Sequence, residues 1–295
     1  MRAGINGLTA ALVAGVVIGL LLTPDGRAWL RHPTLMLGGA ASASASPPEA
    51  SPVPAAIPAA APPPAPVAPA VTPLKDRLAR GSLRVGVFGD SMGDGLWTAL
   101  YRDLNGKDGM TVAKFSEVST GLSRYDYVDI QAKTARQIRE TPVDVAVILF
   151  GTNDAQGISL DGQIHAFGTP GWKAAYGRRI DDLVGLLRAK DVAVYWVGLP
   201  RMKRESFDAR MQLINSVVEG RMTALGVPLI ETTTATSGPS GDYEAYLPDR
   251  EGRRRLMRAN DGIHMTMAGY LRIAEPVAER LRRDAGLAAP DKPAA

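Results

Sequence analysis

From residue 74 onward the chain alternates between two kinds of apolar pattern. Short apolar runs predict strands at Leu83–Phe88, Val143–Phe150, Val192–Val197 and Val227–Glu231, and Thr111–Val118 is a further strand candidate, the second in chain order. Between them lie longer stretches with apolar residues at helical spacing. They predict helices at Asp94–Leu104, Asp126–Glu140, Trp172–Lys190 and Phe207–Leu225. In the second, Ile130, Ala132 and Ile138 are among the apolar positions. In the third, Ile180, Leu183, Val184 and Leu187 fall on one face. A last helix is capped by Thr266, with Leu271, Ala274, Ala278 and Leu281 sharing a face and Pro276 expected to kink it. Val143–Phe150 is apolar almost throughout, as a strand covered on both faces must be. Strand and helix alternate over residues 74–286, which predicts an α/β domain around a mainly parallel sheet. Ligands of such sheets bind beyond the carboxyl ends of the strands.

The pattern upstream is different. Ile5–Leu22 is apolar and uncharged and is preceded by Arg2, long enough for one membrane crossing. A cleaved signal peptide would place a small-residue cleavage site close behind this stretch, whereas Thr23-Pro24-Asp25-Gly26-Arg27 follows. We expect an uncleaved signal anchor within residues 1–37, although Arg27 and Arg31 weaken the charge asymmetry that would orient it. Residues 38–73 are almost all Ala, Pro, Ser and Val, a composition without a core that predicts an extended spacer. Residues 287–295 are expected to be a disordered tail. Anchor and spacer together place the domain beyond a bacterial inner membrane, in the periplasm, with secretion after cleavage as the alternative.

Composition removes several classes of chemistry. The chain of 295 residues has no cysteine, which excludes disulfides and thiol nucleophiles. Its net charge of +4 is spread, with the densest clusters at Arg178-Arg179, Arg253-Arg254-Arg255 and Arg282-Arg283. Such clusters suit solvated faces or attraction to anionic envelope polymers and lipids, and no nucleic-acid partner is expected. No zinc-ligand spacing or phosphate-cradling loop occurs, so neither a metal nor a cofactor is expected.

Three polar blocks interrupt the apolar pattern at strand ends and before the last helix. Gly89-Asp90-Ser91 follows the first strand, Gly151-Thr152-Asn153-Asp154 follows the third, and Asp261-Gly262-Ile263-His264 precedes the last helix. Ser91 offers a hydroxyl nucleophile at a helix N-terminus, where free N–H groups favour a developing oxyanion, or else it is a plain helix cap. Asp261 is placed to orient His264, or to stabilise the turn. The Asn153 amide suits an oxyanion donor or a turn. Gly121, in Ser119-Thr120-Gly121-Leu122-Ser123 after the second strand, is a less marked backbone donor.

With these blocks the chain resembles the SGNH hydrolases, or GDSL-type esterases, over about residues 83–281. The Ser, Gly, Asn and His blocks of that family correspond to Ser91, Gly121, Asn153 and His264. Met92 stands where a leucine often follows the serine, and the Gly121 block is weakly marked. The anchor, the spacer, Trp-Val-Gly-Leu-Pro at 196–200 and Arg258 suggest an envelope-associated bacterial branch. The resemblance implies a flavodoxin-like three-layer α/β/α sandwich. It also implies Ser91 as nucleophile, His264 as base, Asp261 as its orienting acid, and an oxyanion hole from Ser91, Gly121 and Asn153. Asp154, Arg258 and His165 are further candidates for contact with substrate.

The activity expected is hydrolysis of an acyl ester, an O-acetyl group above all, on an envelope polysaccharide or lipid. An acyltransferase would use the same residues and deliver the acyl group to a sugar, with Ala155–Gly171 as an acceptor-binding lid or else a plain surface excursion. A non-catalytic envelope-binding module is the third reading.

Overall fold

The computed structural model describes residues 71–249 and 251–288. The apolar stretch at 5–22, nearly all of the spacer and the C-terminal tail lie outside them. Among the described residues no helix is long and apolar enough to cross a membrane.

After helix α1 (Leu74–Leu78), the first half runs β1 (Leu83–Gly89), α2 (Ser91–Leu104), β2 (Met110–Lys114), α3 (Ile130–Glu140) and β3 (Val145–Leu149). A small hairpin follows, β4 (Ile158–Leu160) and β5 (Gln163–His165), then α4 (Pro170–Arg188), β6 (Ala193–Val197), α5 (Glu205–Leu225) and β7 (Leu229–Ile230). The chain ends with α6 (Thr233–Thr236), a second hairpin of β8 (Tyr246–Pro248) and β9 (Arg254–Leu256), and α7 (Met267–Asp284).

The sheet has the order β2-β1-β3-β6-β7 and all its pairings are parallel. Every residue of β3 is buried, because helices cover both faces. On one side α2 packs against α7, and on the other α4 packs against α3 and α5. This is a three-layer α/β/α sandwich. Its strand order reverses between β1 and β3, so the crevice for a ligand opens where those two strands end. They end together, with Gly89 opposite Leu149.

All five predicted strands and all five predicted helices occur, with shifted ends. Helix α2 starts at Ser91, not Asp94, because the Asp90 carboxylate accepts the Met92 N–H at 2.9 Å. Helix α3 starts at Ile130, not Asp126, because Asp129 caps it by accepting from the Ala132 N–H. Its buried face is Ile130, Thr134 and Ile138, four residues apart, which leaves Ala132 exposed. Strand β2 is regular only to Lys114, although the Phe115 and Glu117 N–H groups still donate to the Val87 and Gly89 carbonyls of β1 before the turn at Ser119, where φ is +64°. Helix α7 runs on through Pro276 to Asp284. Its core face is Ile273, Ala274, Val277, Ala278 and Leu281, while Leu271 points outward.

Candidate active site

The turn after β1 is stapled to the turn after β3 by one buried carboxylate. Asp90 Oδ2 accepts from the backbone N–H of Gly151 (3.2 Å) and Thr152 (3.0 Å) and from the Thr152 hydroxyl (2.7 Å). Its Oδ1 holds the start of α2. The strand end is also tight. A β-carbon at Gly89 would drive into the Leu149 carbonyl oxygen and approach Gly93, so only glycine fits. Since Asp90 supplies the cap, the Ser91 hydroxyl is left for other work.

Burial raises the pKa of Asp90 to about 6, against the pull of its hydrogen bonds from Thr152 and Met92, and the nearby Asp154 charge adds to the rise. A raised carboxyl holds its proton more tightly folded than unfolded. Its stabilising contribution is therefore complete below about pH 4 and is lost as the pH climbs through about 6, a fall of about 3 kcal/mol. Asp154, raised by burial as well, acts in the same direction. Urea midpoints of the wild-type protein should fall more steeply over this window than those of Asp90→Asn. Parallel curves would contradict this assignment.

The Ser91 hydroxyl lies 2.7 Å from His264 Nε2. On the far side of the ring, Nδ1 lies 2.6 Å from Asp261 Oδ2. A carboxylate only accepts, so Nδ1 carries the hydrogen and Nε2 faces the serine with its lone pair. The other oxygen, Asp261 Oδ1, accepts from the backbone N–H of Ile263 (2.8 Å) and His264 (3.0 Å). Partial burial works to raise the pKa of Asp261. The hydrogen bonds from the ring and the two amides outweigh it and hold the acid below its ordinary value. Gly262 takes φ +70° in this turn, and a side chain there would collide with Lys203.

Arg258 braces the same turn from below. It is 1% exposed, and its Nη2 donates to the carbonyls of Gly262 (3.2 Å) and Ile263 (3.0 Å) while the guanidinium sits over the Tyr243 ring. The expectation that Arg258 meets substrate is corrected by this burial. It is a support for the histidine turn.

Asp154 is corrected in the same way. It is fully buried and accepts from the Ser123 N–H (2.8 Å), the Ser123 hydroxyl (2.9 Å) and the Tyr176 hydroxyl (2.9 Å). It clamps the loop that carries Gly121. A β-carbon at Gly121 would strike its carboxylate, so this loop needs glycine for space. No acceptor among the described residues meets the Gly121 N–H. The Asn153 side-chain amide donates one hydrogen to the Thr120 carbonyl at 2.9 Å and keeps a second for a ligand. The first N–H groups of α2 have no partner within the helix. Asn153 thus ties the Gly121 loop to the turn after β3, and Asp90 ties that turn to the start of α2 at Ser91.

His165 is not part of this cluster. It pairs with Ile158 in the β4–β5 hairpin, its ring lies against Gly171, and no hydrogen bond joins it to Ser91, His264 or Asn153. The base of that hairpin is fixed by Trp172, whose Nε1 donates to the Gln156 carbonyl at 2.7 Å. The supporting roles of Thr120, Ser123, Thr152 and Tyr176 have no signal in the sequence, because single polar residues near apolar runs carry no spacing pattern.

The parallel sheet in this order, with the Ser, Gly, Asn and His blocks following its strands or preceding its last helix, has the arrangement that the resemblance to the SGNH hydrolases implies. The chain belongs to the family described as "Protein of unknown function (DUF459)", whose model matches residues 84–280. No curated protein matches the chain. Among solved structures it is similar to a GDSL-like lipase from Bacteroides thetaiotaomicron, at 16% identity and TM-score 0.46, over 68% of this chain and 88% of that one. It is also similar to a putative lipolytic protein of the G-D-S-L family from Desulfitobacterium hafniense (12%, TM-score 0.49, 68% and 99%). A third is a psychrotrophic esterase from a Pseudoalteromonas species (10%, TM-score 0.47, 68% and 98%).

Proposed function

We propose that the chain is a serine esterase that removes acyl groups, O-acetyl above all, from a polymer or lipid of the cell envelope. The observation that carries the reading is the unbroken hydrogen-bonded chain from Ser91 through His264 to Asp261. Ser91 Oγ attacks the ester carbonyl carbon as His264 Nε2 takes its proton. The carbonyl oxygen gains negative charge and is met by the N–H groups of Ser91 and Gly121 and the free amide hydrogen of Asn153. When the carbon–oxygen bond to the alcohol breaks, His264 returns the proton to the leaving oxygen. Water then gives a proton to His264 and attacks the acyl-serine, and as the bond from the acyl carbon to Oγ breaks His264 returns that proton to Oγ, which releases the acid and restores Ser91.

The envelope setting is inferred from the sequence. An apolar stretch at 5–22 followed by an Ala/Pro-rich spacer suits a domain held away from a membrane on its periplasmic side. The test is labelling of the full chain with a fluorophosphonate, followed by peptide mass analysis, alongside acetate release from an acetylated glycan. An adduct on Ser91 that blocks acetate release is expected. A folded protein that takes up no label would overturn the reading. Transfer of the acetyl group from Ser91 to an added sugar faster than to water would make the enzyme a transferase.

A further inference from the structure

Beside Asn153 opens a cavity of about 440 Å³, walled by Thr152, Asn153, Gln156, Arg204, Phe207 and Arg210 among others. Ser91 and His264 do not line it. It therefore accommodates a part of the substrate next to the reacting ester, not the ester itself. The segment that carries Arg204 is joined to the histidine turn, since the Lys203 N–H donates to the Gly262 carbonyl at 3.1 Å. The cavity is thus tied to the site on two sides, through Arg204 to the histidine turn and through Thr152 to Asp90 beside Ser91.

The charge of this wall is uncompensated. Nearby arginines are paired, Arg201 with Asp208 at 2.8 Å and Arg221 with Asp181 at 2.7 Å. Arg204 and Arg210 have no carboxylate partner among the described residues. Each is instead steadied by an aromatic ring, Arg204 over Phe207 and Arg210 over Phe167. Arg210 also donates to the Ala155 carbonyl at 3.1 Å. A guanidinium that is oriented by its own contacts and left without a counter-ion is suited to receive a planar carboxylate. Apart from Ala155 and Phe207 the lining is polar, which suits a sugar better than an acyl chain.

We propose that Arg204 and Arg210 bind the carboxylate of an acidic sugar beside the acylated one, so that the preferred substrate is an O-acetylated acidic polysaccharide. This rests on the esterase reading above. It assigns Arg204 and Arg210 as specificity-determining residues.

The full chain, in detergent, would be assayed for acetate release from O-acetylated polygalacturonate and from O-acetylated xylan of matched acetyl content. Wild type should favour the acidic polymer by about tenfold or more in kcat/KM, as charge-assisted hydrogen bonds to one carboxylate allow. That ratio should fall toward one in the Arg204→Gln/Arg210→Gln double variant, recover in part with lysine at both positions, and shrink in wild type as ionic strength rises. Equal rates on both polymers in wild type, or a preference that survives in the double variant, would overturn the proposal. Faster deacylation of an anionic phospholipid vesicle than of the acidic polymer would overturn it in favour of a lipid. The two readings fail separately. A protein that forms no adduct at Ser91 loses both, whereas a labelled enzyme indifferent to polymer charge loses only this one.

Discussion

Ser91→Ala should lower kcat for ester hydrolysis by about 10⁴-fold or more, the scale seen when the nucleophile of a hydrogen-bonded triad is removed. The size follows from what remains. Without Oγ no acyl-serine forms, and His264 has only water to activate at a site shaped for a tetrahedral carbon held on the serine. The fold should be little affected, because the hydroxyl has no structural duty. Helix α2 is capped by Asp90, and Ser91 bonds only to the histidine ring that the mechanism uses. The expected stability change is under about 1 kcal/mol, in the range of substitutions outside the core. Turnover of a simple acetyl ester and the thermal midpoint, measured together, check both halves. A variant that keeps a tenth of wild-type turnover would mean that Ser91 is not the nucleophile.

The same residue shows how far the sequence could be read. A serine after a strand and before a helix has two chemically sensible uses, and composition does not choose between them. The choice is made by Asp90, whose carboxylate reaches both the helix start and the β3 turn, 61 and 62 positions away in the chain. Local pattern carries the strands, helices and polar blocks, since apolar runs, the 3.6-residue repeat and short polar blocks are each read from residues close together in the chain. Which polar residues face solvent and which support the site depends on contacts between distant segments. Asp154 and Arg258 stand beside the reactive blocks in sequence yet point inward, one to Ser123 and Tyr176, the other to the carbonyls of its own turn. Arg204 and Arg210 lie in a helix start that looks like ordinary solvated surface. Their place in the cavity wall emerges only when α5 packs beside the turn after β3.

Asp261→Asn should be nearly as damaging to turnover as loss of the serine, by about 10⁴-fold, with the fold intact. The two carboxylate oxygens do different work. Oδ1 accepts from the amides of Ile263 and His264 and so fixes the turn. An asparagine carbonyl accepts these bonds equally well, and at 46% side-chain exposure no buried charge is disturbed. Oδ2 faces His264 Nδ1 at 2.6 Å. An asparagine NH₂ at that point meets the ring N–H donor to donor. The clash is relieved when the imidazole moves its hydrogen to Nε2 and accepts through Nδ1. Nε2 then points a hydrogen at Ser91 and has no lone pair to take the serine proton. Loss of the carboxylate also withdraws the negative charge that steadies the imidazolium formed during attack. The expected outcome is therefore a variant with wild-type thermal midpoint, little change in KM, and kcat reduced in parallel with kcat/KM. Turnover within tenfold of wild type would show that Asp261 serves the turn alone.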